Sequence, residues 1–81
     1  MIRVEVYGKR DCCLCDEVKA TLSKVRREIP FDFREIDIES APEIYDAYKE
    51  RIPLLLINGR PAFKFRVDEA ALRRRLARQR A

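Results

Sequence analysis

Several features that would point to other classes of protein are absent from this chain of 81 residues. It contains no histidine, and its longest apolar stretch, 52–57, is far shorter than the about 20 residues that a membrane-spanning helix needs. No basic segment followed by an apolar core opens the sequence, because apolar and charged residues alternate over 2–7. We therefore expect no membrane association and a cytoplasmic location. No linker, repeat or low-complexity stretch interrupts the chain, so 1–81 are predicted to form a single domain.

Cysteine is absent everywhere except in one cluster. All three cysteines, Cys12, Cys13 and Cys15, lie within four residues. A secreted disulfide framework spreads its cysteines to connect distant loops, so this clustering indicates chemistry or ligation instead. Two thiols three residues apart, between a strand and a helix, are typical of thiol–disulfide exchange. One alternative is a soft metal or iron–sulfur cluster held by the three thiols, although no histidine or second cysteine pair is there to complete a four-ligand site. Another is a set of thiols that pack as small hydrophobes.

Charge is unevenly distributed along the chain. Residues 1–50 carry nine basic and twelve acidic side chains, whereas residues 51–81 carry nine basic and two acidic ones. Most of the excess lies near the end of the chain, at Arg73, Arg74, Arg75, Arg78 and Arg80. Such a run could bind nucleic acid or an acidic partner. No aromatic residue interleaves these arginines, which argues against nucleic acid and favours a solvated helix face.

The first half of the chain predicts a β-α-β unit. Alternation over 2–7 predicts a strand, and apolar residues recurring every three or four positions over 14–29 predict an amphipathic helix that ends at Pro30. Apolar residues over 31–38 predict a second strand, parallel to the first.

The second half predicts a helix, a hairpin and a last helix. Ser40, with Glu43 three residues later, resembles a capping box that begins a short helix. The apolar run 54–57 predicts a buried third strand, and Asn58-Gly59 predicts a tight turn into a return strand over 62–67. Asp68 is predicted to cap the last helix. The expected α/β fold is thus β-α-β-α-β-β-α, a four-stranded mixed sheet with helices on both faces.

This order of elements, together with two segments, resembles the glutaredoxin branch of the thioredoxin superfamily over essentially the whole chain. The segments are 7–15, which contains Cys-x-x-Cys, and 51–59, which contains Ile-Pro before the third strand and Asn-Gly in the hairpin. The Cys-x-Leu-Cys form followed by acidic residues is most similar to small bacterial glutaredoxin-like proteins. The resemblance implies a thioredoxin-like fold and thiol–disulfide oxidoreductase activity.

The positions of Cys12 and Cys15 indicate a different role for each of these two thiols. Cys12 lies at a helix start, where unpaired backbone N–H groups, the helix dipole and nearby Lys9 lower a cysteine pKa from about 8.5 toward the range ~3.5–7.5. Acidic neighbours, Asp11 among them, oppose this, so we expect a modest lowering and a nucleophilic Cys12. Cys15 shares its helix face and is expected to resolve the mixed disulfide. Cys13 is rotated about 100° from Cys12 and is expected to be a spectator, or else a metal or cluster ligand.

The resemblance also implies a substrate-binding set. Pro53 corresponds to a proline that is cis in the superfamily and lies beside the cysteine pair, which would leave the N–H and C=O of Ile52 free to pair with an extended substrate. Lys9 stands where glutathione-binding members often place a lysine. Those members carry Gly-Gly followed by acidic residues after the hairpin, whereas this chain has Phe63 through Asp68 there.

The remaining expectations concern partners. No cofactor or metal is expected to be tightly bound, and glutathione is left open as a co-substrate. The expected partners are a protein or small-molecule disulfide and a separate reductant. A weaker alternative is an adaptor whose arginine-rich last helix docks onto an acidic partner.

Overall fold

The computed structural model describes residues 1–80; Ala81 and the side chain of Arg80, one of the arginines of the basic run, lie outside the described residues. The elements follow the order β-α-β-α-β-β-α, with a single 3-10 turn, Ile38–Ser40, after the second strand. In chain order they are β1 Arg3–Gly8, α1 Cys13–Arg26, β2 Asp32–Asp37, α2 Pro42–Tyr48, β3 Leu54–Ile57, β4 Arg60–Lys64 and α3 Glu69–Arg80.

The four strands form one mixed sheet in the order β2-β1-β3-β4. β1 is parallel to β2, whereas β3 is antiparallel to both β1 and β4. The right-handed preference of β-α-β crossovers and the two-residue turn after β3 account for these pairings. The C-terminal end of β1, the start of β3 and the end of β4 therefore lie at one end of the sheet, and the hairpin turn lies at the other.

The main core lies between one face of the sheet and helices α1 and α3. Alternate residues of β1, Val4 and Val6, point into it with Leu55 of β3, and Leu72 and Leu76 of α3 have no exposed surface. The opposite face is covered more lightly, because the short helix α2 contains no fully buried residue. Helices on both faces of a four-stranded mixed sheet confirm the predicted architecture. No helix within residues 1–80 combines the length and apolar character that a membrane crossing requires.

Two predicted boundaries in the first half are wrong. α1 ends at Arg26 rather than at Ile29, because a residue before proline is disfavoured in the helical region. The last turn tightens there, since the backbone N–H of Glu28 donates to the carbonyl of Val25, three residues back, at 2.9 Å. The second strand ends at Asp37, where the Asp37 carboxylate accepts the N–H of Glu39 at 2.8 Å and starts the 3-10 turn.

Two predictions in the second half are also wrong. The capping box at Ser40 does not form, because α2 begins at Pro42 and its N-cap is therefore Ala41, whose methyl side chain cannot accept a hydrogen bond. Proline is favoured at the first helical position, since it has no N–H that needs a partner there. β4 ends at Lys64 instead of continuing to Val67, because Phe65 adopts a positive φ of 70°. The predicted cap at Asp68 is confirmed, since its carboxylate accepts the N–H of Ala71 at 2.9 Å.

An ionic cluster connects α1 to α3 along the outer surface. Arg73 donates to Glu28 at 2.7 Å and also pairs with Glu69, which in turn pairs with Lys24 at 3.3 Å. The hydrogen bonds from Arg73 lower the pKa values of both carboxyl groups. Arg73 is thus engaged in the fold, whereas its neighbour Arg74 is exposed and makes no ion pair among the side chains that the structure describes.

Candidate active site

The cysteine cluster lies at the start of α1, after the turn that connects β1 to this helix. β1 ends at Gly8, and the chain then reverses through a turn in which Asp11 adopts a positive φ of 55°. Cys12 is the N-cap of α1: its backbone is extended, and its sulfur accepts the backbone N–H of Cys15 at 3.2 Å. The first free N–H groups of a helix are unpaired donors, so this position stabilises a negatively charged sulfur.

The two outer cysteines are joined but differ in their access to solvent. The Sγ atoms of Cys12 and Cys15 lie at disulfide distance, with the Cα atoms 5.2 Å apart. Cys12 is half-exposed, whereas only 1% of Cys15 is exposed. A substrate can therefore approach Cys12 from solvent, while Cys15 is reached from within the protein. Cys12 is thus the more accessible of the two sulfurs.

Gly8, the last residue of β1, also belongs to this site. A Cβ atom at Gly8 would lie 3.1 Å from the Sγ of Cys15, which is tighter than ordinary van der Waals contact. The end of β1 thus approaches the buried sulfur closely because Gly8 has no side chain. Nothing local in the sequence marks this contact, since it joins a strand end to a helix turn.

Pro53 lies beside the same glycine. β3 pairs with β1 so that Leu54 faces Tyr7, and one further step in this register brings Pro53 opposite Gly8. The Ile52–Pro53 peptide bond is cis, and the proline side chain is fully buried. Ile52 is half-buried, and its backbone N–H and C=O make no backbone hydrogen bond among residues 1–80.

Lys9 lies at the rim rather than in the site. Its side chain is exposed, makes no ion pair with the described side chains, and lines a cleft with Arg10, Lys19 and Glu35. Lys19 is already engaged there: it contacts Glu35 at 2.9 Å, and this hydrogen bond raises the lysine pKa. Among the described side chains that line this cleft, Lys9 and Arg10 are the cations without an ion pair.

Cys13 stands apart from the pair. It is the first residue of α1, it is exposed, and it is not disulfide-bonded. Within the described part of the chain, no group of three or more cysteine or carboxylate side chains is placed so that it could hold a metal ion. The arrangement thus brings together Cys12 and Cys15 but not the three thiols that a metal site would need.

Two tyrosines pack beside the site on the lightly covered face. The rings of Tyr7 and Tyr48 are stacked, with centroids 4.2 Å apart. Burial, followed by a hydrogen bond with Tyr48, raises the pKa of Tyr7. Both rings are half-buried, and their contact holds α2 to the sheet next to Gly8.

Comparison with known proteins agrees with this geometry. A family model described as "Glutaredoxin-like domain (DUF836)" matches residues 3–77. The uncharacterized protein Rv0508 of Mycobacterium tuberculosis is 31% identical over 81 aligned positions, covering 94% of this chain and 84% of that protein. A protein of Dictyostelium discoideum named as glutaredoxin-like, a homolog of YDR286C, is 30% identical over 77 positions, covering 88% and 71% of the two chains.

The fold is also similar to those of solved structures. The X. campestris protein XcR50 superposes with a TM-score of 0.77 at 28% identity, over 93% of this chain and 96% of that one. A thioredoxin from Fasciola hepatica superposes with a TM-score of 0.63 at 21% identity, over 95% and 79% of the two chains, which shows a shared fold alone. The thioredoxin-like fold is confirmed, and the fold together with the Cys12–Cys15 pair supports a redox role.

Proposed function

The chain belongs to the glutaredoxin-like domain family, and on that premise we propose that it is a thiol–disulfide oxidoreductase whose Cys12/Cys15 pair cycles between dithiol and disulfide. The observation that carries this proposal is the pairing of a half-exposed sulfur at the N-cap of α1 with a buried sulfur at disulfide distance. The family relationship supports a redox role in general, and this pairing supports the specific chemistry.

In the first step, the thiolate of Cys12 attacks one sulfur of a substrate disulfide. A bond forms between Cys12 and that sulfur, the substrate S–S bond breaks, and the departing thiolate takes a proton from solvent. The N–H of Cys15, 3.2 Å from the Cys12 sulfur, stabilises the attacking anion. The mixed disulfide that results joins the protein to one half of its substrate.

In the second step, Cys15 loses its proton and attacks the Cys12 sulfur. This forms the Cys12–Cys15 disulfide and releases the second substrate thiol, so the substrate has gained two electrons and two protons. A separate thiol or dithiol reductant, with glutathione as one candidate, then returns two electrons and two protons to the pair. The cytoplasm, which keeps thiols reduced, is the proposed location.

Substrate contacts are proposed for Ile52, Pro53 and Lys9. The free N–H and C=O of Ile52 can pair with an extended segment of substrate in the manner of an added strand. Pro53 opposite Gly8 offers no N–H that would compete for the sulfur. The unpaired ammonium group of Lys9 can meet a substrate carboxylate at the rim.

Single replacements of the three cysteines test the proposal, and Cys13 provides the control. Cys12→Ser should reduce insulin or a mixed disulfide no faster than solution without protein. Cys13→Ser, which removes an adjacent exposed thiol outside the pair, should retain the rate of the unmodified protein. Cys15→Ser should form the mixed disulfide once and then stop, which mass spectrometry would detect. Turnover that survives in Cys12→Ser would rule out the mechanism.

A further inference from the structure

Phe65 holds a bulky side chain in a backbone conformation that favours glycine. Its φ is 70°, its side chain is 41% exposed, and its N–H donates to the carbonyl of Pro53 at 2.7 Å. Bulky residues rarely adopt a positive φ, because the conformation costs free energy and persists only where the surroundings enforce it. The hydrogen bond fixes the residue next to Pro53, yet the ring is not buried in the core. Packing therefore does not explain why an aromatic residue stands here.

Phe65 is one of the residues that line a groove beside the first turns of α1. The groove has a volume of about 470 Å³ and lies between α1 and the segment that follows β4. Its walls are formed by Glu17, Val18 and Thr21 on one side and by residues 65–68 on the other. The groove adjoins the site, because Glu17 and Val18 follow Cys15 on α1 and the N–H of Phe65 donates to the carbonyl of Pro53.

The composition of the groove favours one kind of occupant. The apolar residues that line it are Val18, Val67 and Phe65, of which Val18 is only 3% exposed. The groove also carries two carboxylates, Glu17 and Asp68, against one guanidinium, that of Arg66. Glutathione, which has two carboxylates and one ammonium group, is disfavoured by this balance. An apolar side chain of a polypeptide is suited to it.

We infer that Phe65 selects polypeptide disulfides that carry an apolar residue beside the reactive cysteine. With the substrate backbone extended along Ile52, a neighbouring apolar side chain enters the groove and packs against the Phe65 ring. The inference rests on the proposed function, since it concerns the substrate of the same cysteine pair. It makes Phe65 a specificity-determining residue, while the attack and resolution steps remain those of Cys12 and Cys15.

Two short peptide disulfides that differ only in having leucine or serine beside the cysteine provide the test. The rate constant of the reduced protein with each peptide is divided by the rate constant of the same peptide with dithiothreitol, which removes differences in intrinsic reactivity. The unmodified protein should prefer the leucine peptide by about 10-fold, the discrimination that one apolar side chain provides in a pocket. Phe65→Asn, which keeps a residue tolerant of positive φ, should bring this ratio close to one. Phe65→Tyr, which keeps an aromatic ring, should retain the preference of the unmodified protein for the leucine peptide.

Tyr45→Asn is the matched control, because Tyr45 is an aromatic residue of similar exposure, 38%, on α2 and outside the groove. It should retain the 10-fold preference. A ratio that is unchanged in Phe65→Asn, or that is near one in the unmodified protein, overturns the inference while the proposed function stands. Equal loss of both rates in Phe65→Asn also overturns it, because the residue would then be structural. If neither peptide reacts with the unmodified protein, the proposed function itself fails.

Discussion

The two ends of the sheet both require left-handed backbone, but they supply it with different residues. At the hairpin end the residues are Asn58, with a φ of 51°, and Gly59, with a φ of 84°. At the site end they are Asp11, with a φ of 55°, and Phe65, with a φ of 70°. Asparagine and glycine adopt this region readily, whereas phenylalanine does so only under constraint.

The hairpin end also satisfies its polar groups locally. The Asn58 side chain accepts the N–H of Arg3 at 2.9 Å and donates to the side chain of Gln79 at 2.7 Å. At the site end, the backbone N–H and C=O of Ile52 make no backbone hydrogen bond among residues 1–80, and Phe65 remains 41% exposed. The residue that is least suited to a positive φ and the unpaired backbone groups thus lie at the end that we assign to chemistry. The hairpin end has residues suited to its backbone conformation and pairs the side chain of Asn58.

The largest expected effect is at the site end, where close approach depends on Gly8. Gly8→Val inserts a branched side chain at a position where even a Cβ atom lies 3.1 Å from the Cys15 sulfur. Overpacking of this kind should lower the free energy of unfolding by about 3 kcal/mol. Urea denaturation measures it, with Arg10→Val, an exposed position in the same turn, as the control. A loss no greater than that of the control would show that the contact with Cys15 is loose.

The next effect tests the hairpin end. Asn58→Ala removes two side-chain hydrogen bonds and leaves a residue that resists positive φ, so we expect a loss of about 2 kcal/mol in unfolding free energy. Asn58→Gly keeps the backbone freedom and loses only the hydrogen bonds, so it should lose less. Neither change should alter the rate with a disulfide substrate. An altered rate would show that the two ends are coupled through the sheet.

The difference between the ends also explains what the sequence can predict. The hairpin, β1 and the Asp68 cap follow from turn chemistry, alternation and side-chain capping, all of which act over a few residues. The Cys12–Cys15 spacing likewise identifies the pair, because both residues lie in one helical turn. These features can be predicted without the contacts that residues distant in sequence make.

The wrong or missing predictions depend on competition or on distant contacts. Ser40 has good capping chemistry, but Pro42 begins the helix two residues later without it. The apolar residues after β4 continue a strand pattern, yet Phe65 turns the chain out of the strand through its positive φ of 70°. The contact between Gly8 and Cys15 joins two elements, so no short window of sequence could reveal it.

A smaller effect sharpens the comparison at Phe65 itself. Because Phe65 adopts its conformation at a cost, Phe65→Asn relieves strain while it loses the partly exposed ring and the Lys64 contact at 5.1 Å. These contributions oppose each other, so the unfolding free energy should change by less than about 1 kcal/mol. Asn58→Phe, the reverse exchange at the hairpin end, should destabilise by more than this. A loss above about 2 kcal/mol in Phe65→Asn would mean that the ring serves the fold rather than the substrate.

The smallest effect concerns the ionic cluster between α1 and α3, which belongs to neither end. Arg73 lowers the pKa values of Glu28 and Glu69, so the native state binds protons at these carboxyl groups less readily than the unfolded chain does. The stabilisation is therefore present above the carboxyl pKa of the unfolded chain, about 4.3, and is lost as the pH falls through the lowered native values.

Arg73→Gln should reduce the melting temperature slightly at neutral pH and match the unmodified protein in acid. Arg74→Gln, which removes a neighbouring arginine without an ion pair, should show no such pH-dependent gap. Since the cluster is exposed, the gap should also shrink in high salt. The rate of disulfide exchange should be the same in both variants, because the ion pairs that the structure describes in this cluster involve no residue of 12–15. A changed rate in Arg73→Gln alone would show that the α1–α3 contact positions the site.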